Sequence, residues 1–186
     1  FDQKQESLEP EQEPSDKNEL FHWILTLAIA VIIALCVNRF VLVNAEIPSG
    51  SMENTIMTGD RVFGNRLAYI FGEPKRFDII IFRYPDDEKQ LFIKRIIGLP
   101  GETVEIHDGQ IFIDGSKTPL KDVTTKEFMQ GSFGPYTVPD NCYFVMGDNR
   151  NNSKDSRYWK HTFVTDDEIV GKAFLRYWPL NKIKFL

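Results

Sequence analysis

Residues 23–37 (WILTLAIAVIIALCV) form an apolar run interrupted only by Thr26. At roughly 1.5 Å of rise per residue, the run is too short to cross a hydrocarbon core about 30 Å thick. Extending it to 20–43 brings in Asn38 and Arg39 and gives enough length. Arg39 can snorkel to one interface, while His22 and Trp23 suit the opposite headgroup layer. Three readings compete. A buried core helix would carry a polar face, and this run has none. A removable targeting segment would account for the small-x-small look of Val43-Asn44-Ala45, but the flank before the run is acidic where such segments are basic. An uncleaved transmembrane anchor over 20–43 fits best. Lys4 and Lys17 precede the run and Arg39 ends it, so charge bias leaves its orientation open.

Residues 1–19 (FDQKQESLEPEQEPSDKNE) carry two prolines and only Phe1 and Leu8 as large apolar groups. Such a segment cannot offset the entropy of ordering it, so a solvated acidic tail is expected. The formal net charge of −5 comes largely from this tail, and nothing suggests a nucleic-acid partner. Cys36 lies in the apolar run and Cys142 far downstream, so no disulfide is expected. No His/Cys spacing fits a metal set, and no cofactor is expected.

Residues 44–186 are enough for one core. Segments 77–84, 90–97, 103–107, 110–114, 143–146 and 171–178 are β-branched or aromatic-rich, with Gly and Pro between them. Asp108-Gly109 between two alternating segments predicts a tight hairpin. Helical periodicity shows only around 66–71, and 117–136 reads as a long loop or short insertion. The fold class is mainly β and antiparallel.

Candidate chemistry is scattered. Ser49 and Ser51 sit in Ile47-Pro48-Ser49-Gly50-Ser51-Met52, where Gly50 lets a substrate approach the backbone, although a Ser-Gly-Ser is by itself an ordinary polar turn. His22, His107 and His161 lie in surface-like surroundings, so a Ser-His-Asp triad is poorly supported. A lysine can act as base if burial keeps it neutral. Lys94 shares a strand face with Phe92 and Ile96, although a half-exposed strand would place it in water. Residues 146–159 (MGDNRNNSKDSRYW) suit either a solvated loop or a buried hydrogen-bond network.

Four segments, in this order behind an anchor, resemble the bacterial type I signal peptidases, Ser-Lys endoproteases that release exported proteins from their leader peptides. They are Pro48-Ser49-Gly50-Ser51-Met52, Gly59-Asp60-Arg61-Val62, Lys94-Arg95-Ile96-Ile97-Gly98-Leu99-Pro100-Gly101, and Gly147-Asp148-Asn149-Arg150 with Asn152-Ser153 and Asp155-Ser156-Arg157. The resemblance implies Ser51 as nucleophile and Lys94 as general base. It implies Ser49 and the Ser51 N–H as oxyanion donors, and Ser153 as a hydrogen-bond partner that orients Lys94. Asp148, Arg150, Asp155 and Arg157 would brace the site, and Ile47, Ile56, Phe92 and Ile93 would line pockets for small side chains at the −1 and −3 positions.

The resemblance also implies a barrel-like β catalytic domain over 44–186. The domain would work as a monomer, beside the bilayer and outside the cytoplasmic membrane. Its partners would be the signal peptides of exported preproteins, bound as extended strands. The short 117–136 stretch points to the compact, single-anchor form of Gram-positive bacteria. Two positions depart from the pattern: Asn54 stands where many relatives have Pro, and Asn151 where many have Asp. A self-cleaving repressor on a related fold would carry a DNA-binding segment in place of the anchor. An inactive peptide-binding domain would have no need for Ser51, Lys94 and Ser153 together. Self-trimming after Val43-Asn44-Ala45 is a further expectation to test.

Overall fold

The computed structural model describes residues 16–70, 72–121 and 128–186. Most of the expected acidic tail lies outside these residues, but its last four are helical, because α1 spans Asp16–Cys36. A π-helical turn, Val37–Val41, follows it. The apolar stretch Glu19–Val41 has 23 residues and a mean hydropathy of 2.6, with its side chains exposed. A helix that is apolar all round and exposed is unstable in water and stable in lipid, so the core-helix reading has no support. Leu42 and Val43, the last two residues of the expected anchor, instead begin strand β1 (Leu42–Glu46), and Val43 is buried in the core of the second unit. Ala45 lies in the same strand, opposite Val62. Trimming after Ala45 would require β1 to be peeled from its sheet.

Residues 39–186 form the second compact unit. Its main sheet runs β1-β2-β10-β3-β4-β8-β9, with β11 (Lys184–Phe185) against β10. The strands are β2 (Arg61–Asn65), β3 (Ile79–Tyr84), β4 (Asp87–Gly98), β8 (Cys142–Met146), β9 (Val164–Thr165) and β10 (Ile169–Trp178). A smaller sheet runs β6-β5-β7, from β5 (Thr103–His107), β6 (Gln110–Ile113) and β7 (Phe133–Thr137). Every pairing among the described residues is antiparallel. The mainly β expectation holds, but β1 and β9 do not close on each other, so the main sheet is curved open rather than a closed barrel.

Residues 79–82 (IIIF) are apolar without alternation because β3 is covered on both sides. Ile79 and Ile81 enter one cluster with Val43, Ile47 and Met52, while Ile80 and Phe82 enter another with Val145 and Trp159. A third cluster, around Phe144, Ile97 and Val104, joins the two sheets. The Asp108-Gly109 hairpin forms as expected, with left-handed φ values of 48° and 78°. An added Cβ at Gly109 would lie 1.9 Å from the Met129 carbonyl oxygen. Gly109→Ala should therefore destabilise the domain by about 1–3 kcal/mol, seen as a lower denaturation midpoint. An unchanged midpoint would contradict this account of the turn.

Two expectations need correction. Residues 66–70 form turns rather than a helix, with Leu67 accepting a single bond from Ile70 N, and Phe71 lies outside the described residues. Within 117–136, residues 122–127 lie outside them too, but Phe133–Thr137 is a strand paired with β5. Its Gly134 and Pro135 hid the strand pattern.

Candidate active site

Ser51 sits in a single 3₁₀ turn, Gly50–Met52, between two apolar anchors: Ile47 is 2% exposed and Met52 is 0% exposed. Burial of both neighbours fixes where the turn stands. Lys94 is delivered by β4, opposite Ile80. Its Nζ donates to Ser51 Oγ at 2.7 Å and to the Ile93 carbonyl at 3.1 Å. Ser49 Oγ lies 3.3 Å from Ser51 Oγ. Strand and turn, 43 residues apart in sequence, thus bring a hydroxyl and an amine into contact.

Lys94 is 4% exposed. Burial lowers its pKa from 10.5 to about 8, against the opposing charges of Asp155 and Asp148. Each of those carboxylates is itself paired with an arginine. Asp148 takes both Arg95 Nε (2.7 Å) and Arg95 Nη2 (2.6 Å), along with the Thr55 hydroxyl (2.5 Å). Asp155 is 0% exposed and accepts Arg157 Nε (2.8 Å), Arg157 Nη2 (2.9 Å) and the Gly147 N–H (3.0 Å). Arg150 Nε donates to Gly147 O, and Arg157 Nη2 to Arg150 O. Arg150, Asp155 and Arg157 thus join in one buried network around Gly147, while Asp148 pairs separately with Arg95 and Thr55.

Gly147 is central to it. An added Cβ there would lie 2.3 Å from both Ser51 O and Ser153 Oγ. Ser153 is buried beside this point, but its Oγ makes no hydrogen bond among the described residues. The expected bond from Ser153 to Lys94 is thus not formed in this structure.

A cleft of about 540 Å³ opens over Ser51 and Lys94. Ile47, Phe92 and Ile93 line it as expected. Ile56 does not: it is 0% exposed and packs in the core cluster that holds Ile47 and Ile93. Ala45, Ile81 and Leu91 line the cleft instead, along with Asn152 and Lys154. Phe92 is held by Tyr84, stacked at 4.3 Å, and by the edge of Trp159. A larger hollow of about 730 Å³, between residues 66–74 and Leu99, Tyr143 and Asp166, shares no residue with this cleft and holds no serine or lysine.

Sequence reasoning missed Arg95, whose signal was only its place beside Lys94. It also missed Asn149, whose side-chain amide donates to Gly50 O at 3.0 Å and whose backbone N–H donates to Ser51 O at 3.1 Å. The two departures have local explanations. Asn54 has φ 91°, a conformation closed to proline. Asn151 accepts from Gln130 N (2.9 Å) and donates to Phe128 O (3.0 Å), and a carboxylate could not make the second bond. All three histidines are exposed; His107 contacts Glu105 and His161 contacts Asp86.

The family model described as signal peptidase, peptidase S26, matches residues 20–178. Signal peptidase I of Leptolyngbya laminosa is 38% identical across 92% of this chain and 86% of its own length. Signal peptidase I of Bacillus licheniformis is 36% identical across 94% and 97%. A signal peptidase I of Enterococcus faecalis V583, of known crystal structure, is 37% identical and covers 54% of this chain and 96% of its own, with a TM-score of 0.46. A match that spans the helix, the Ser51 turn, β4 and the Gly147 loop leaves one assignment: the chain belongs to the signal peptidase I family of serine proteases, peptidase S26.

Proposed function

We propose that this chain cleaves leader peptides from exported preproteins after small-x-small sites, with Ser51 as nucleophile and Lys94 as its base. One observation carries the reading. The Lys94 amine touches the Ser51 hydroxyl at 2.7 Å, and burial lowers its pKa to about 8. Neutral Lys94 takes the Oγ proton as Oγ attacks the scissile carbonyl carbon. The Ser51 N–H and the Ser49 hydroxyl receive the oxyanion. Protonated Lys94 then gives its proton to the leaving amine as the C–N bond breaks. Water, deprotonated by the same lysine, hydrolyses the acyl-enzyme.

Substrate recognition follows from two free strand edges. Among the described residues, β1 pairs with β2 alone. β8 pairs with β4 only from Arg95 onward, so β4 leaves its edge open at Gln90–Lys94. An extended peptide lying between these edges gains backbone hydrogen bonds from both. Its alternate side chains meet Ala45, Ile47, Ile81, Phe92 and Ile93, and this shallow wall selects small residues at −1 and −3. Ser153, Asp148, Arg150, Asp155 and Arg157 support the site. The helix anchors the catalytic domain, as a monomer, on the outer side of the cytoplasmic membrane.

The test is cleavage of a preprotein with Ala at −1 and −3. Ser51→Ala should abolish it, and so should a bulky residue at −1 of the substrate; survival of either would sink the assignment. Activity should rise as pH increases through about 8, where Lys94 loses its proton. A profile flat from pH 6 to 10 would exclude a lysine base.

A further inference from the structure

We infer that Asn149 is a positioning residue of the oxyanion hole, its side-chain amide setting the plane of the Gly50–Ser51 peptide and so the aim of the Ser51 N–H. This rests on the proposed role of that N–H. Gly50 O and Ser51 N–H belong to one planar peptide unit and point in opposite directions, so fixing one fixes the other. Gly50 O accepts two hydrogen bonds, from Glu53 N at 3.1 Å and from Asn149 Nδ2 at 3.0 Å. The first belongs to the 3₁₀ turn and moves with it. The second reaches across from the loop that carries Asp148 and Ser153.

The same residue secures the next peptide, since Asn149 N donates to Ser51 O at 3.1 Å. Both carbonyls that flank Ser51 are therefore held by Asn149. The hold is rigid because its neighbour Asp148 is 1% exposed and locked bidentately to Arg95, the residue after Lys94. Nucleophile, oxyanion donor and base are thus referred to one loop. A hydrogen bond accepted at Gly50 O also polarises the peptide and strengthens the opposing N–H as a donor. Asn149 has the donor this needs; a carboxylate in its place would set negative charge against a carbonyl oxygen.

Asn149→Leu keeps the side-chain size and the backbone bond to Ser51 O, removes the donor and adds no charge near Lys94, so it carries the test even if Asn149→Ala folds poorly. With a peptide substrate bearing Ala at −1 and −3, kcat should fall about 10- to 100-fold with KM within about twofold. Inhibition by a matching peptide aldehyde, whose carbonyl carbon Ser51 Oγ attacks to form a hemiacetal, should weaken by a similar factor. The acid limb of the pH profile should stay in place. An unchanged kcat would overturn the inference. So would a loss of kcat without loss of aldehyde affinity, or one accompanied by a moved limb, which would mean that Asn149 acts through Lys94. Ser51→Ala, run in parallel, separates the two readings. If Ser51→Ala is dead and Asn149→Leu is normal, only this inference fails; if Ser51→Ala still cleaves, the proposed mechanism fails with it.

Discussion

Lys94→Met is expected to reduce cleavage by roughly 10⁴-fold or more, the scale on which a serine hydrolase loses its base, while making the folded domain more stable at pH 7. Methionine has similar length and needs no solvation, so it fits the site of Lys94, which is 4% exposed. The wild-type residue is a liability there. Burial lowers its pKa from 10.5 to about 8, so below pH 8 the folded domain either holds a charge in a dry site or gives up a proton that the unfolded chain keeps. That difference corresponds to about 3 kcal/mol of destabilisation. Its sign with pH is fixed. Between about 8 and 10.5 the unfolded chain binds more protons than the folded one, so wild-type stability rises across this window. The variant has no such rise. Denaturant midpoints at pH 7 and pH 10, together with a cleavage assay, check both halves. A variant that still cleaves would refute the base, and one less stable at pH 7 would refute the burial argument.

Asp155→Ala should lower stability by about 3–5 kcal/mol, because it strands the Arg157 guanidinium without its carboxylate in the interior. Arg157 has 1% side-chain exposure against 0% for Asp155, so water cannot replace the lost partner. The Gly147 N–H loses its acceptor too, at the point where Gly147 touches Ser51 and Ser153. A milder variant, Asp155→Asn, removes the charge and nearly keeps the shape. The Asp155 charge raises the Lys94 pKa, so its removal should move the acid limb of the rate profile below its position near pH 8. Thermal melts and a pH–rate profile test the pair of effects. Unchanged stability in Asp155→Ala, or a limb moved to higher pH in Asp155→Asn, would contradict the electrostatic picture.

Much of the architecture was legible in local pattern. The apolar run reads as a membrane-length helix from hydropathy alone, and the helix over Asp16–Cys36 agrees. Residues 79–82 declare a strand covered on both faces, and Asp108-Gly109 declares its turn. Strand β1 was hidden because Leu42 and Val43 continue the apolar run, so hydropathy assigned to the membrane what the sheet claims by pairing with β2. Ile56 reads as a pocket residue by motif and proves to be core, since a motif records which residue is present but not which way it faces.

The sequence by itself determined the family and the apolar helix and singled out Ser51 and Lys94 as candidates, because each is written in residues close together or in short motifs in fixed order. It could not show that Lys94 is dry. On a strand with alternating faces, an amine between Phe92 and Ile96 reads equally well as solvated. Only the tertiary structure decides, by closing Ser51 against β4 and by giving Asp148 and Asp155 arginine partners of their own. Burial then outweighs the attraction of two nearby carboxylates, and a lysine that would be inert at neutral pH in water comes within reach of acting as a base.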